Sequence, residues 1–132
     1  MSDEEFLAQL EACTLPAEKF HHADHLRAAF LYLDQFRPAE AIARFSEVLR
    51  RFAGSLGRAD RYHETVTWAY LLILNERIYR RKEGMNWQQF AAANPDLLEW
   101  NNSVLLKYYR KETLESDLAR DVFLMPDRIS AT

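Results

Sequence analysis

The sequence predicts an all-α protein, a single-domain bundle of about six or seven helices covering residues 1–132. Three observations lead to this fold. Apolar residues recur three and four positions apart in successive segments, which is the period of an amphipathic helix. Only three glycines and four prolines occur, and they fall between those segments. With 48% apolar residues, a chain of 132 can bury one core but is short for two.

The first two helices are predicted from their start signals and apolar spacing. Ser2 followed by Glu5 has the pattern of a capping box, which opens a short first helix. The second helix begins near His21 or His22 and runs to about Phe36. The residues expected to face inward are Phe6, Leu7, Leu10 and Cys13 on the first helix and Leu26, Ala29, Phe30 and Leu33 on the second.

A third helix is expected from Pro38, because proline suits the first turn of a helix. The stretch from Gly54 to Gly57 is expected to be a loop. The inward residues of the third helix are expected to be Ile42, Phe45, Leu49 and Phe52.

The fourth helix is predicted from Arg61 to about Lys82, with Asp60 as its N-cap. Its middle, Val66 to Leu74, is apolar almost all round. A helix of that kind is normally surrounded by others, so we expect it at the centre of the bundle.

Three further helices are expected in the remaining chain, and residues after Asp127 are expected to form a tail. A short fifth helix carries Trp87 and Phe90. The sixth opens at Asn94-Pro95 and carries Leu98, Val104, Leu105 and Tyr108; the last carries Leu114, Leu118, Val122 and Phe123 and ends at Met125-Pro126.

Composition excludes several classes of partner. The net charge is −3 with both signs mixed along the chain, whereas nucleic-acid binding needs a concentrated basic face. The longest apolar run falls far short of the roughly 20 residues that cross a bilayer. The single cysteine, Cys13, forms no internal disulfide and fits a reducing compartment. We therefore expect a cytoplasmic protein that binds neither nucleic acid nor membrane.

All four histidines fall in two short motifs. His21, His22 and His25 lie in F-H-H-A-D-H-L-R, and His63 lies in Y-H-E-T. At about 100° per residue, the apolar stripe of the second helix extends back through His22, with His25 on its shoulder. The stripe of the fourth helix extends back to His63. The geometry predicts that His22, His25 and His63 face inward from the first turns of two helices.

Inward imidazoles need partners, since an unpaired buried polar group costs about 1–3 kcal/mol. A divalent metal would satisfy all three rings. Three histidines with an open position suit catalytic zinc, whereas two histidines with Glu64 resemble a non-haem iron site. The pattern does not distinguish nickel or copper from zinc and iron as the bound metal. The alternative is a structural polar cluster in which the imidazoles bond loop carbonyls or carboxylates.

The motifs resemble a family of small, all-helical bacterial proteins without an assigned activity. The resemblance rests on H-x-D-H-L-R, on Y-H-E-T-x-T, and on N-P-D-L-L, Y-Y and F-L-M-P-D-R in the second half, so it spans most of the chain. It implies a helical fold but no reaction. A weaker analogy is to DinB-like metal-binding bundles, which use three histidines from two helices. Their histidine order and spacing differ from those of this chain.

These observations predict a small metalloenzyme with His22, His25 and His63 as ligands of one divalent ion. Glu64 would act as general base or fourth ligand, and Arg27 would orient a small-molecule substrate unless it pairs with Asp24 or Glu64. Zinc would imply hydrolase or lyase chemistry, and iron or copper would allow oxygen-dependent chemistry. The alternative is a non-catalytic binding or interaction module. Exposed aromatic residues could also mark a homodimer face.

Overall fold

The computed structural model describes residues 1–128, and these are organised in seven α-helices without a β-strand. This confirms the all-α class. The chain divides into two compact units, Met1–Tyr62 and His63–Thr132. The expectation of a single domain stays a prediction. Within residues 1–128, no helix has the length and apolar character needed to cross a membrane.

The first unit consists of three helices and two 3₁₀ turns. Its helices are α1 (Asp3–Glu11), α2 (His22–Gln35) and α3 (Pro38–Ser55), and its turns are Ala17–Lys19 and Ala59–Arg61. α3 packs against α2, α1 and the second turn. Most of the residues predicted to face inward form the core, whereas Leu33, Ile42 and Cys13 are half-buried, and Cys13 lies beyond the end of α1. The main members of the core are Phe6, Leu7, Leu10, Leu26, Ala29, Phe30, Phe45, Leu49 and Phe52.

The local signals that begin these helices act largely as predicted. The Ser2 hydroxyl accepts a hydrogen bond from the Glu5 N–H at 3.1 Å, and Pro38 occupies the first turn of α3. The loop expected from Gly54 begins later, because α3 continues to Ser55. Gly57 then takes a positive φ of 69°, a backbone region that favours glycine.

The second unit contains four α-helices, of which the first is the longest. These are α4 (Glu64–Tyr79), α5 (Trp87–Ala93), α6 (Lys111–Leu114) and α7 (Asp117–Asp121), with 3₁₀ turns at Pro95–Leu98 and Val104–Lys107. α4 packs against α7 and the second 3₁₀ turn. The buried residues of this unit include Thr65, Thr67, Ala69, Tyr70, Leu71, Leu74, Phe90, Leu97, Leu105, Tyr109 and Ala119.

The predicted start of the fourth helix is wrong by three residues. α4 begins at Glu64 with His63 as its N-cap, and Asp60 lies in the preceding 3₁₀ turn. The helix ends at Tyr79. Its middle is not buried all round, since 43% of Leu72 is exposed. A central position of α4 in the molecule stays a prediction.

The predicted sixth helix is also wrong. Two 3₁₀ turns take its place, because the Ser103 hydroxyl accepts the Leu105 N–H at 3.1 Å and starts a new turn there. The last predicted helix is divided into α6 and α7. Ser116 separates them by capping α7, where its hydroxyl accepts the Ala119 N–H at 3.2 Å.

Arg128, which the sequence placed in the tail, is bonded to the second unit. The Arg128 N–H donates to the Tyr108 carbonyl at 2.9 Å, and Asp127 accepts the Arg110 N–H at 2.9 Å. Residues 122–128 are therefore held in place as a segment outside the helices, which we call the strap. Residues 129–132, the rest of the predicted tail, lie outside the described residues.

Candidate functional site

The His25 imidazole is packed on an aromatic cluster of the first unit. It stacks on the Phe20 ring with a centroid distance of 4.0 Å and an interplanar angle of 25°. Phe20 in turn makes an edge contact with Phe52 at 5.1 Å and lies 6.2 Å from Phe6. The cluster holds the plane of the imidazole, which is half-buried at the start of α2.

The other two histidines of the motif precede His25 at the start of α2. His21 is the N-cap of α2, and its N–H donates to the Asp24 carboxylate at 2.9 Å. His22 is the first helical residue and is half-buried, whereas His21 is exposed. Burial, followed by the fields of His22 and His21, lowers the pKa of His25 to about 4. The His25 ring is therefore neutral at pH 7.

The nitrogens of His25 are uncommitted within its unit. In residues 1–62, no hydrogen bond reaches the His25 ring. The ring is held there by its stack on Phe20. A neutral imidazole with an available lone pair is the form that binds a metal or accepts a proton. Residues three apart on a helix also lie on the same face. His22 and His25 can therefore act on one ligand.

His63 is in a different situation, because backbone groups of the second unit use both of its ring nitrogens. Nδ1 accepts the Val66 N–H at 3.1 Å, and Nε2 lies 2.6 Å from the Leu114 carbonyl. This pairing selects the neutral tautomer that carries its proton on Nε2. Burial lowers the pKa of His63; the Leu114 carbonyl opposes that change, and Arg120 adds to it.

The three predicted metal ligands thus have different surroundings. His22 and His25 share one turn of α2, and His63 caps α4 in the other unit. Among the residues described, no group of three or more His, Cys, Asp and Glu side chains is arranged to hold a metal ion. The three-histidine site stays a prediction.

Arg27, predicted to orient a substrate, is engaged within the first unit. Its guanidinium donates to the Asp3 carboxylate at 2.7 Å and to the Met1 carbonyl at 3.1 Å. It also lies 4.5 Å from the centroid of the Phe6 ring. Within the first unit, the salt-bridge partner of Arg27 is thus Asp3, whereas the sequence suggested Asp24. Its side chain is 16% exposed, so the pair fastens the chain terminus to α2.

Glu64, the predicted general base, is the first residue of α4. Its carboxylate accepts a hydrogen bond from Trp68 Nε1 at 3.1 Å, one turn further along the helix. Trp68 also stacks on Phe123 of the strap at 5.2 Å. A catalytic role for Glu64 or Arg27 stays a prediction.

Thr65, near the start of α4, is fully buried. A threonine hydroxyl in a helix commonly bonds back to a carbonyl of its own helix, as that of Thr67 does with His63 at 2.7 Å. Thr65 instead bonds the strap, donating to the Val122 carbonyl at 2.8 Å and accepting the Leu124 N–H at 3.0 Å. Only the fold brings residues 57 and 59 positions apart together, so no local signal identifies this contact.

Comparison with known proteins finds no matching family model, no similar curated protein and no similar solved structure. The resemblance to small helical bacterial proteins therefore stays a prediction based on its motifs.

His63→Ala is expected to lower the free energy of unfolding by about 1–2 kcal/mol, because it removes an N-cap and the contact with the Leu114 carbonyl. His63→Asn should cost about half as much, since asparagine restores the cap but not the second contact. Urea unfolding at pH 7.5 measures both. Equal losses for the two variants would contradict the capping role.

Proposed function

We propose that this protein binds a divalent metal ion through His22 and His25, the H-x-x-H pair at the start of α2. The observation that carries the proposal is the state of His25. Its ring is neutral, has a fixed plane and forms no hydrogen bond in residues 1–62. Metal ligation requires the neutral form of imidazole. Zinc, iron, nickel and copper all accept imidazole nitrogen, and the donor set favours none of them.

Two imidazoles leave coordination positions for water, a substrate or a third protein ligand. His63 is the third ligand that the sequence suggests. Ligation by its Nε2 would displace the proton and the contact with the Leu114 carbonyl, and ligation by Nδ1 would displace the Val66 N–H. Metal-dependent catalysis on a small molecule, with Glu64 and Arg27 taking part, belongs to the same proposal.

The test is metal binding by full-length, untagged protein, measured by titration calorimetry with zinc, nickel and copper(II), and with iron(II) under anaerobic conditions. We expect one site per chain. His25→Ala and His22→Ala should each weaken binding at least tenfold, since each removes a ligand. His21→Ala is the matched control, because it removes a neighbouring exposed imidazole, and it should change binding less than threefold. Circular dichroism checks that each variant is folded.

His63→Asn then separates the two ligand sets. A two-histidine site keeps its affinity in this variant, whereas a three-histidine site loses at least tenfold. If folded wild-type protein binds none of these ions at millimolar concentration, or if His25→Ala leaves binding unchanged, the metal proposal is wrong.

A second candidate is a non-catalytic binding or interaction module with structural histidines. The full use of both His63 nitrogens by backbone groups favours it. Large exposed side chains in the second unit agree with it, including Trp100 at 58% and Tyr79 at 89% exposure. Absence of metal binding in the calorimetric titrations would leave this candidate.

A further inference from the structure

The strap, residues 122–128, lies on the second unit as a segment that is neither helix nor strand. Side chains of the unit hydrogen-bond its backbone directly. The Thr65 hydroxyl donates to the Val122 carbonyl at 2.8 Å and accepts the Leu124 N–H at 3.0 Å. The hydroxyl of Tyr109, a residue only 1% exposed, donates to the Leu124 carbonyl at 2.7 Å. Three polar backbone groups of the strap, the Val122 carbonyl and the N–H and carbonyl of Leu124, are thus bound by two buried hydroxyls.

An aromatic contact and a carboxylate anchor hold the strap on either side of these bonds. Phe123 stacks on Trp68 with a centroid distance of 5.2 Å and an interplanar angle of 22°. Further along, Asp127 accepts hydrogen bonds from the Arg110 N–H and the Thr113 hydroxyl. The strap presents one aromatic ring, three backbone polar groups and one carboxylate to matching partners.

This arrangement has the features of peptide recognition. Main-chain hydrogen bonds supply affinity, and separate contacts for individual side chains supply specificity. We call Thr65, Trp68 and Tyr109 the strap site. All three precede the strap in the chain, and α7, which ends at Asp121, leads directly into it. Rotation near Val122 would therefore release the strap without unfolding a helix.

We propose that the strap site is a binding site for an extended peptide segment and that the strap of a second copy of this chain can replace the resident one. An exchanged strap makes the same contacts as the resident one, so exchange costs little beyond the entropy of association. Once released, seven residues can span up to about 23 Å when fully extended.

Mass action determines when the exchange is seen. A tethered strap acts at an effective concentration in the millimolar range, so wild-type protein at micromolar concentration keeps its own strap bound. Exchange becomes visible when the resident strap is bound more weakly than the strap of another copy. Two full-length variants achieve this: a site variant carrying Thr65→Val and Tyr109→Phe, and a strap variant carrying Phe123→Ala and Asp127→Ala.

The experiment mixes the two variants at about 50 μM, well below that millimolar range, and measures mass by sedimentation velocity. Each variant alone should sediment as a 15.6 kDa monomer, because each lacks one half of the contact. The mixture should form a heterodimer of twice that mass, since the intact site of one chain takes the intact strap of the other. Unfolding both variants in urea and diluting them together covers the case in which one does not fold alone.

A labelled peptide of residues 122–128 provides a second readout by fluorescence anisotropy. It should bind the strap variant saturably and bind the site variant at least tenfold more weakly. If the mixed or co-refolded variants remain monomeric, strap exchange between copies is wrong. If the peptide also fails to bind, the strap site recognises no segment in trans, and the strap is only an internal structural element.

Discussion

Thr65→Val is expected to lower the free energy of unfolding by about 2–4 kcal/mol. Valine matches threonine in shape but cannot form the two hydrogen bonds to the strap, which leaves the Val122 carbonyl and the Leu124 N–H without their partner. Each unsatisfied group of this kind costs about 1–3 kcal/mol. Urea unfolding monitored by tryptophan fluorescence measures the loss, since Trp68 stacks on the strap.

Thr67→Val is the matched control. Thr67 lies on the same helix and is also buried, but its hydroxyl bonds only the His63 carbonyl of its own helix. That carbonyl also accepts the Thr67 N–H at 3.0 Å, so it keeps a partner when the hydroxyl is removed. We expect a loss below about 1 kcal/mol. If Thr67→Val and Thr65→Val lower the free energy of unfolding equally, the hydrogen bonds to the strap do not add to stability.

Lowering the pH from 6.5 to about 4 is expected to remove about 3 kcal/mol of stability through His25. Burial and the nearby histidines lower the pKa of His25 to about 4 in the folded state, against 6.5 for the free side chain. Between these values the unfolded chain binds more protons than the folded one, so the free energy of unfolding falls as the pH falls. Each pKa unit corresponds to about 1.4 kcal/mol. The contribution is fully present only above about pH 7.5, where the unfolded side chain is also neutral.

His25→Gln isolates this contribution, because glutamine fills similar space and does not titrate. Urea unfolding of both proteins at pH 7.5, 6.0, 5.0 and 4.5, with a chelator present, should show a steeper loss of stability for the wild type. The chelator separates the proton effect from metal binding. Parallel pH profiles for the two proteins would contradict a lowered pKa of His25 in the folded state.

Local patterns predicted the first unit well, because its three helices are amphipathic and carry local start signals. Ser2 caps α1 and Pro38 opens α3 as expected, and the stripe through Leu26 and Phe30 is buried. Intermediate exposure of Leu33 and Ile42 marks the edges of the predicted stripes. In each case the spacing of residues along one helix already determines which side chains share a face.

After residue 93 the apolar spacing predicted the helices less well, because the apolar residues there do not belong to one helix. Leu98, Val104 and Leu105 fit a helical period by number, yet they lie on two separate 3₁₀ turns. Ser103 and Ser116 each start a new turn through a short hydroxyl bond, and such caps compete with helix continuation. The spacing of apolar residues does not show whether the helix continues or a serine cap starts a new turn.

The candidate site also combines features that local spacing predicted with features that depend on distant contacts. Helical spacing was enough to predict that His22 and His25 share the first turn of α2. The stack of His25 on Phe20 and the bond from His63 Nε2 to the Leu114 carbonyl could not be read locally, since the second joins residues 51 positions apart.

The sequence by itself determined that this chain is helical, where α1 to α3 lie, and that its histidines gather at the starts of two helices. These properties depend on residues within a few turns of one another, and side-chain spacing encodes them directly. Only the tertiary structure decided that His25 stays unbonded in its unit, that His63 is a cap, and that Thr65 and Tyr109 bind the strap. Those outcomes depend on which distant backbone groups meet each side chain, and that is fixed when the core packs.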